Sequence, residues 1–113
     1  MARCLVMITQ DTRQILALLR AIPRGTVTSY GRVAAMAGNP RGARQVSRIL
    51  HSMSQKHGLP WHRVVSAKGR ISLPMGDGFE LQKALLEDEG VMVSGRGDVD
   101  LSQYLWTPEA HFT

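Results

Sequence analysis

Cations are foremost among the residues of this chain that could do chemistry. Between Arg20 and Arg70 stand ten of them (Arg20, Arg24, Arg32, Arg41, Arg44, Arg48, Lys56, Arg63, Lys68 and Arg70) and not one Asp or Glu. From Ile71 onward the balance reverses, with Lys83 and Arg96 against eight acids. A one-sided block of this kind suits a polyanion, because each phosphate neutralised releases a counterion. A solvated basic surface would give the same composition. Nucleophiles and metal ligands are scarce by comparison. Cys4 is the only thiol and the four histidines are scattered. That rules out an intramolecular disulfide and leaves no ligand set for structural zinc. Neither a metal nor a cofactor is expected.

The elements that must position these side chains follow from apolar spacing and caps. A first helix is predicted from about Asp11 to Ala21, capped by Thr9 or Asp11. Ile15, Leu18, Leu19 and Ile22 form its apolar stripe, and Pro23-Arg24-Gly25 ends it. A short second helix spans Tyr30 to Ala37, capped by Thr28 or Ser29 and stopped by Gly38. Asn39 then reads as an N-cap and Pro40 as the first residue of a third helix reaching about Ser52. That helix buries Ala43, Val46, Ile49 and Leu50, and sets Arg41, Arg44 and Arg48 on one opposite face at i, i+3 and i+7. Two helices joined by a glycine-containing turn, the second basic, make a helix-turn-helix over about residues 29–53. An ordinary helical hairpin with a basic exterior shares the pattern.

Trp61 to Val65 reads as a strand, Ser66-Ala67-Lys68-Gly69 as a tight turn, and Arg70 to Leu73 as the returning strand. A hairpin in that place is a wing, over about residues 61–73. Pro74 to Gly78 is a loop. Phe79 to Glu89 is an amphipathic helix through Leu81, Ala84 and Leu85, with Gln82 at the boundary and Gly90 as its stop. Val91 to Val93 adds a strand, and Val99 to Leu101 with Tyr104 and Trp106 closes the chain. The fold class is therefore α/β, mainly α, a single winged helix-turn-helix domain over residues 1–113.

Pro60-Trp61-His62-Arg63-Val64-Val65 resembles the Pro-Cys-His-Arg-Val motif of the O6-alkylguanine-DNA alkyltransferases, with tryptophan in place of the reactive cysteine. Three further stretches carry the same resemblance. Ile22 to Gly31 is similar to the family's turn into its first DNA-binding helix, and Ala37 to Val46 to its recognition helix. Glu87 to Val91 is similar to the acidic segment behind the active site. The match runs from about Ile15 to Val93. The Cys-to-Trp exchange, and the want of room for the transferases' extra N-terminal domain, set the chain among the alkyltransferase-like proteins. Those proteins share the transferases' C-terminal fold, bind alkylated DNA and do not remove the alkyl group.

The resemblance implies roles for particular residues. Tyr30 matches the tyrosine that crowds the phosphate 3′ to the lesion, and Arg44 the arginine that fills the vacated base stack from the minor groove. Arg41, Arg48 and Ser29 would touch the DNA beside them. Pro60, Trp61, His62, Arg63 and Val64 would line the lesion pocket. His62 and Glu89 match the histidine and glutamate of the activating relay, left here as a structural remnant. Trp61 agrees with that subdivision on physical grounds. An indole has one N–H donor and no nucleophile, but its broad face can pack against an alkyl group or a flipped purine. Met53 and Pro74 depart from the family, which has an asparagine at the first position and a Tyr or Arg near the modified base at the second.

The implied function is recognition of O6-alkylguanine in double-stranded DNA by nucleotide flipping, without enzymatic transfer, to flag the site for nucleotide-excision-repair proteins. Two alternatives stay open: an active alkyltransferase using another nucleophile such as Cys4, or a sequence-specific winged-helix transcription regulator. No apolar run approaches the ~20 residues needed to cross a bilayer, and the N-terminus lacks a secretory pattern. A cytoplasmic protein is expected, with no membrane partner. A lesion has no two-fold symmetry, so a monomer is the simpler expectation.

Overall fold

The computed structural model describes residues 10–107. Their contacts group the chain into two compact units, one of residues up to Ala21 with Tyr30–Trp61, the other of Ile22–Ser29 with the residues from His62 on.

The first unit is helical. Helix α1 spans Gln10–Ala21, α2 Tyr30–Met36 and α3 Ala43–His57. Helix α2 packs on both α1 and α3. Ile15, Leu16 and Leu19 of α1, Val33 and Ala34 of α2, and Val46, Ile49 and Leu50 of α3 are buried. The stripes predicted from 3–4 spacing are thus the core, except that Leu18 and Ala43 are only half-buried. The α1 cap at Thr9 lies outside the described residues.

Helix α2 stops at Gly38, whose φ of +91° is open to glycine without strain. Its N–H bonds to Ala35 O (3.0 Å) while Asn39 N–H bonds to Ala34 O (2.9 Å), a Schellman arrangement. The next step corrects the predicted restart at Asn39-Pro40. Gly42 N–H bonds to Asn39 O (2.9 Å), closing a turn, and α3 begins only at Ala43 with Gly42 as its cap residue. The fixed φ of proline suits the second position of a β-turn as well as the first turn of a helix, and Gly42 two residues on favours the turn. Helix α3 also runs past Ser52 to His57, where Gly58 in the left-handed conformation ends it.

The second unit contains the only regular strand pair among the described residues. Strand β1, Thr28–Ser29, runs parallel to β2, Val64–Val65, with Thr28 opposite Val64 and Ser29 opposite Val65. This corrects the predicted hairpin wing. Trp61–Arg63 is a single 3-10 turn rather than strand. The Ser66–Gly69 turn does form, through Gly69 N–H to Ser66 O (2.9 Å), but Arg70 then bridges to Asp98. Gly69 explains the choice. At φ +82° it lets the backbone of Val99 approach so closely that a Cβ there would lie 2.6 Å from the Val99 carbonyl. The partner of residues 70–71 is accordingly 97–99.

Around this pair Val27, Val65, Ile71, Phe79, Leu86, Val91 and Val99 form one apolar core. Helix α4, Phe79–Asp88, turns Phe79, Gln82 and Leu86 inward. The predicted face was out of phase: Leu81 is 56% exposed and Ala84 is exposed too. Val91–Val93 forms no strand beyond a bridge from Val93 to Val99. A last short helix, α5 (Leu101–Tyr104), is capped by Asp100, and Val27 exchanges backbone bonds with Tyr104 and Trp106.

Thr28 is fully buried, and its hydroxyl has no hydrogen-bond partner among the described residues. An unsatisfied buried hydroxyl costs about 1–3 kcal/mol. Thr28→Val, of nearly the same shape, should therefore stabilise the protein by about 1 kcal/mol and raise Tm by a few degrees. A lowered Tm in thermal unfolding would show that the hydroxyl is bonded after all.

Candidate nucleic-acid interface and the Glu89 cluster

The two units divide the charge unequally. Residues 1–21 and 30–61 carry eight Lys and Arg against one acid, while residues 22–29 and 62–113 carry six against eight. Any attraction for phosphate is therefore concentrated in the helical unit.

Within that unit Arg44 and Arg48 are exposed on α3 one turn apart, opposite buried Val46, Ile49 and Leu50. Arg41 is also exposed, but it lies in the turn before the helix, because α3 starts at Ala43, three residues later than the predicted first residue Pro40. The three arginines are therefore not one helical face; two are, and the third leads into it. None of the three has an ion pair among the described residues. Tyr30 opens α2 and is half-buried, as are Pro60 and Trp61. Trp61 begins the 3-10 turn, its backbone N–H bonded to Leu59 O at 2.8 Å.

The remaining predicted residues belong to the second unit. Ser29 and Val64 are 4% and 1% exposed in the β1–β2 pair. His62, Arg63 and Glu89 form a cluster. The Glu89 side chain is only 5% exposed, His62 and Arg63 14% and 17%. Glu89 Oε2 accepts from His62 Nε2 at 2.7 Å and from Arg63 Nη2 at 2.6 Å. Its Oε1 accepts from Gly25 N–H at 2.9 Å and from Arg63 Nε at 3.0 Å. The second terminal nitrogen of Arg63, Nη1, donates to Ile22 O at 2.9 Å. Arg63 is thus committed to a carboxylate and a carbonyl rather than to a ligand. Sequence reasoning placed it in a pocket because nothing in its neighbours names a partner twenty-six residues away.

An ionised carboxylate only accepts, so Glu89 requires the proton on Nε2 of His62. Burial alone would raise the Glu89 pKa. The hydrogen bonds from Arg63, His62 and Gly25 outweigh it and hold the carboxyl at about 2, against an ordinary 4.5. Trp61 precedes His62, so no thiol or hydroxyl adjoins the pair in sequence. Cys4 lies outside the described residues.

Gln82 was missed as a functional candidate. It is 2% exposed, and its amide donates to His62 O at 3.1 Å and Val64 O at 3.0 Å. Its phase, three residues after Phe79 and four before Leu86, was the signal. Among the described residues no group of three His, Cys, Asp or Glu could hold a metal ion, and no helix is long and apolar enough to cross a membrane.

The folded-state pKa of Glu89 lies below its unfolded value, so its stabilisation is complete above about pH 4.5 and drains away as pH falls toward 2. A shift of that size corresponds to ~3 kcal/mol. Glu89→Gln should start less stable at neutral pH, because Arg63 loses its counter-charge, and should lose less stability below about pH 5 than wild type. Urea unfolding across that range tests this; parallel pH slopes for the two proteins would contradict it.

Comparison with known proteins gives one answer. Residues 10–91 match the family described as 6-O-methylguanine DNA methyltransferase, DNA binding domain. The chain is similar to the DNA base-flipping protein of Escherichia coli strain K12, 48% identical over 94 residues that cover 83% of this chain and 72% of that protein. It is 37% identical over 92 residues to alkyltransferase-like protein 1 of Schizosaccharomyces pombe, covering 77% and 85%. The crystal structure of S. pombe Atl1 in complex with damaged DNA containing O6-carboxymethylguanine superposes with a TM-score of 0.77 at 32% identity, over 88% of this chain and 96% of that one. The helices of the first unit are accordingly a helix-turn-helix, and the chain belongs to the 6-O-methylguanine DNA methyltransferase DNA-binding-domain family, as one of its alkyltransferase-like members.

Proposed function

We propose that this protein binds O6-alkylguanine in duplex DNA, turns the modified nucleotide out of the stack and holds it without removing the alkyl group. The observation that carries this is Trp61 standing directly before a formed His62–Glu89 pair, which the structure joins at 2.7 Å. The machinery that would activate a nucleophile is assembled, and the residue beside it has none. The indole offers instead a flat apolar face for an alkylated purine.

The helical unit supplies the approach. Exposed Arg41, Arg44 and Arg48 neutralise phosphate, Tyr30 displaces the phosphate 3′ to the lesion, and Arg44 enters the gap in the stack. Unstacking a base costs a few kcal/mol, offset by phosphate contacts and by burial against Trp61. The base-flipping protein of E. coli and the damaged-DNA complex of Atl1 support this reading through their similarity to the chain. The monomer then holds the site, inside the cell, as a flag for nucleotide-excision-repair proteins.

Competition binding with matched duplexes, guanine against O6-methylguanine, tests the reading. Preference for the lesion is expected, and equal affinities would overturn it. Methyl-labelled lesion DNA should leave no stoichiometric label on the protein; a labelled protein would make it a transferase. Arg44→Ala should remove about tenfold or more of the lesion preference, the size of one lost stacking contact. Arg48→Ala should instead weaken all duplexes alike and lower the salt slope by roughly 0.9. A uniform loss in Arg44→Ala as well would reduce Arg44 to a phosphate contact.

A further inference from the structure

Gln82 is the one polar residue on the buried face of α4, between Phe79 and Leu86. An amide in such a place is unfavourable unless its hydrogens are used, and here Nε2 donates to two carbonyls, His62 O and Val64 O. Those carbonyls flank Arg63. The chain there passes from the 3-10 turn Trp61–Arg63 into the two-residue strand β2, too short a stretch for its own ladder to satisfy every carbonyl. Two separate devices therefore grip the same three residues. Glu89 holds the side chains of His62 and Arg63, and Gln82 holds the backbone on either side of Arg63. Trp61 begins the same turn, directly before these residues.

We infer that Gln82 is a positioning residue for lesion recognition: by fixing the backbone of His62 and Val64 it sets the direction in which the turn presents Trp61. This role rests on the function proposed above. An apolar side chain of the same length would fill the space and donate nothing. The two carbonyls would then lose the amide that ties them to α4, and the turn would sample several exits from β2. Recognition of an alkyl group against a flat ring depends on that direction. Phosphate contacts made by α3 do not.

The test compares Gln82→Met with Leu86→Ala, a cavity variant on the same helix face that has no bond to residues 62–64. Each is measured for Tm, for amide hydrogen exchange over residues 62–66, and for affinity to O6-methylguanine and unmodified duplexes. Gln82→Met should speed exchange in that segment and lower the lesion-to-unmodified ratio about tenfold, with affinity for unmodified duplex within about twofold of wild type. Leu86→Ala, at an equal or larger loss of Tm, should keep the ratio. If both variants lose the ratio alike, or Gln82→Met keeps it, the positioning role is overturned and the lesion reading stands. A wild-type ratio of one overturns both. Gln82→Asn, an amide one methylene too short to reach both carbonyls, replaces the methionine variant if that fails to fold, with the same expected outcomes.

Discussion

A single carboxylate does most of the work of joining distant parts of this chain. Glu89 sits just after α4 with its side chain nearly out of solvent, and its two oxygens receive N–H groups from Gly25, His62 and Arg63. Three stretches separated by dozens of residues meet there: the turn that follows α1, the 3-10 turn before β2, and the end of α4. Charge and hydrogen bonding hold them there, and such a cluster fails as a unit, since stripping one partner from a buried pair costs about 3–5 kcal/mol. Its survival needs no catalytic explanation.

The same bonds decide what kind of group Glu89 is. A carboxyl held at about 2 is a poor proton acceptor at neutral pH and a good electrostatic anchor. The bond to His62 is one of several that Glu89 makes, and the Arg63 contacts alone would keep the carboxylate in place. The cluster therefore holds its shape without any nucleophile beside it. Directly before the pair, residue 61 is an indole, which brings contact area and no nucleophile.

Local signals were legible in the sequence, and distant ones were not. The stripes of α1 and α3 and the stop of α2 at Gly38 follow from spacing and from glycine's access to positive φ, both properties of a few consecutive residues. Asn39-Pro40-Arg41-Gly42 was ambiguous at that range, because proline serves a helix start and a turn equally. Only the bond from Gly42 to Asn39 decides it. Val64-Val65 announced a strand correctly, but its partner is Thr28-Ser29, thirty-six residues earlier, and no local feature names it. The inward face of α4 was misjudged because Gln82 was set at the boundary of a face centred on Leu81, Ala84 and Leu85. Burial of Gln82 depends on two carbonyls from another element. The His62–Glu89 pair was legible only through the family resemblance, and the Arg63 share of it not at all.

The charge pattern shows the same limit with a functional consequence. Along the sequence, Arg20 to Arg70 is one uninterrupted basic block. In space, Arg24, Arg63 and Arg70 each face an acid from the C-terminal third: Asp88, Glu89 and Asp98. These three pairings are not equivalent. Arg24 and Asp88 are 65% and 76% exposed, and Arg70 and Asp98 are 57% and 44% exposed, so water and salt screen both pairs and either arginine can exchange its partner for a phosphate. Arg63 cannot, because leaving would strand a buried carboxylate. Among the described residues Arg41, Arg44 and Arg48 pair with no acid. A ladder of availability therefore runs from α3 and its preceding turn, through the two exposed pairs, to an arginine reserved for the fold. Net charge counts all of these cations alike, whereas exposure and pairing rank their availability to a polyanion, and the helix-turn-helix comes first.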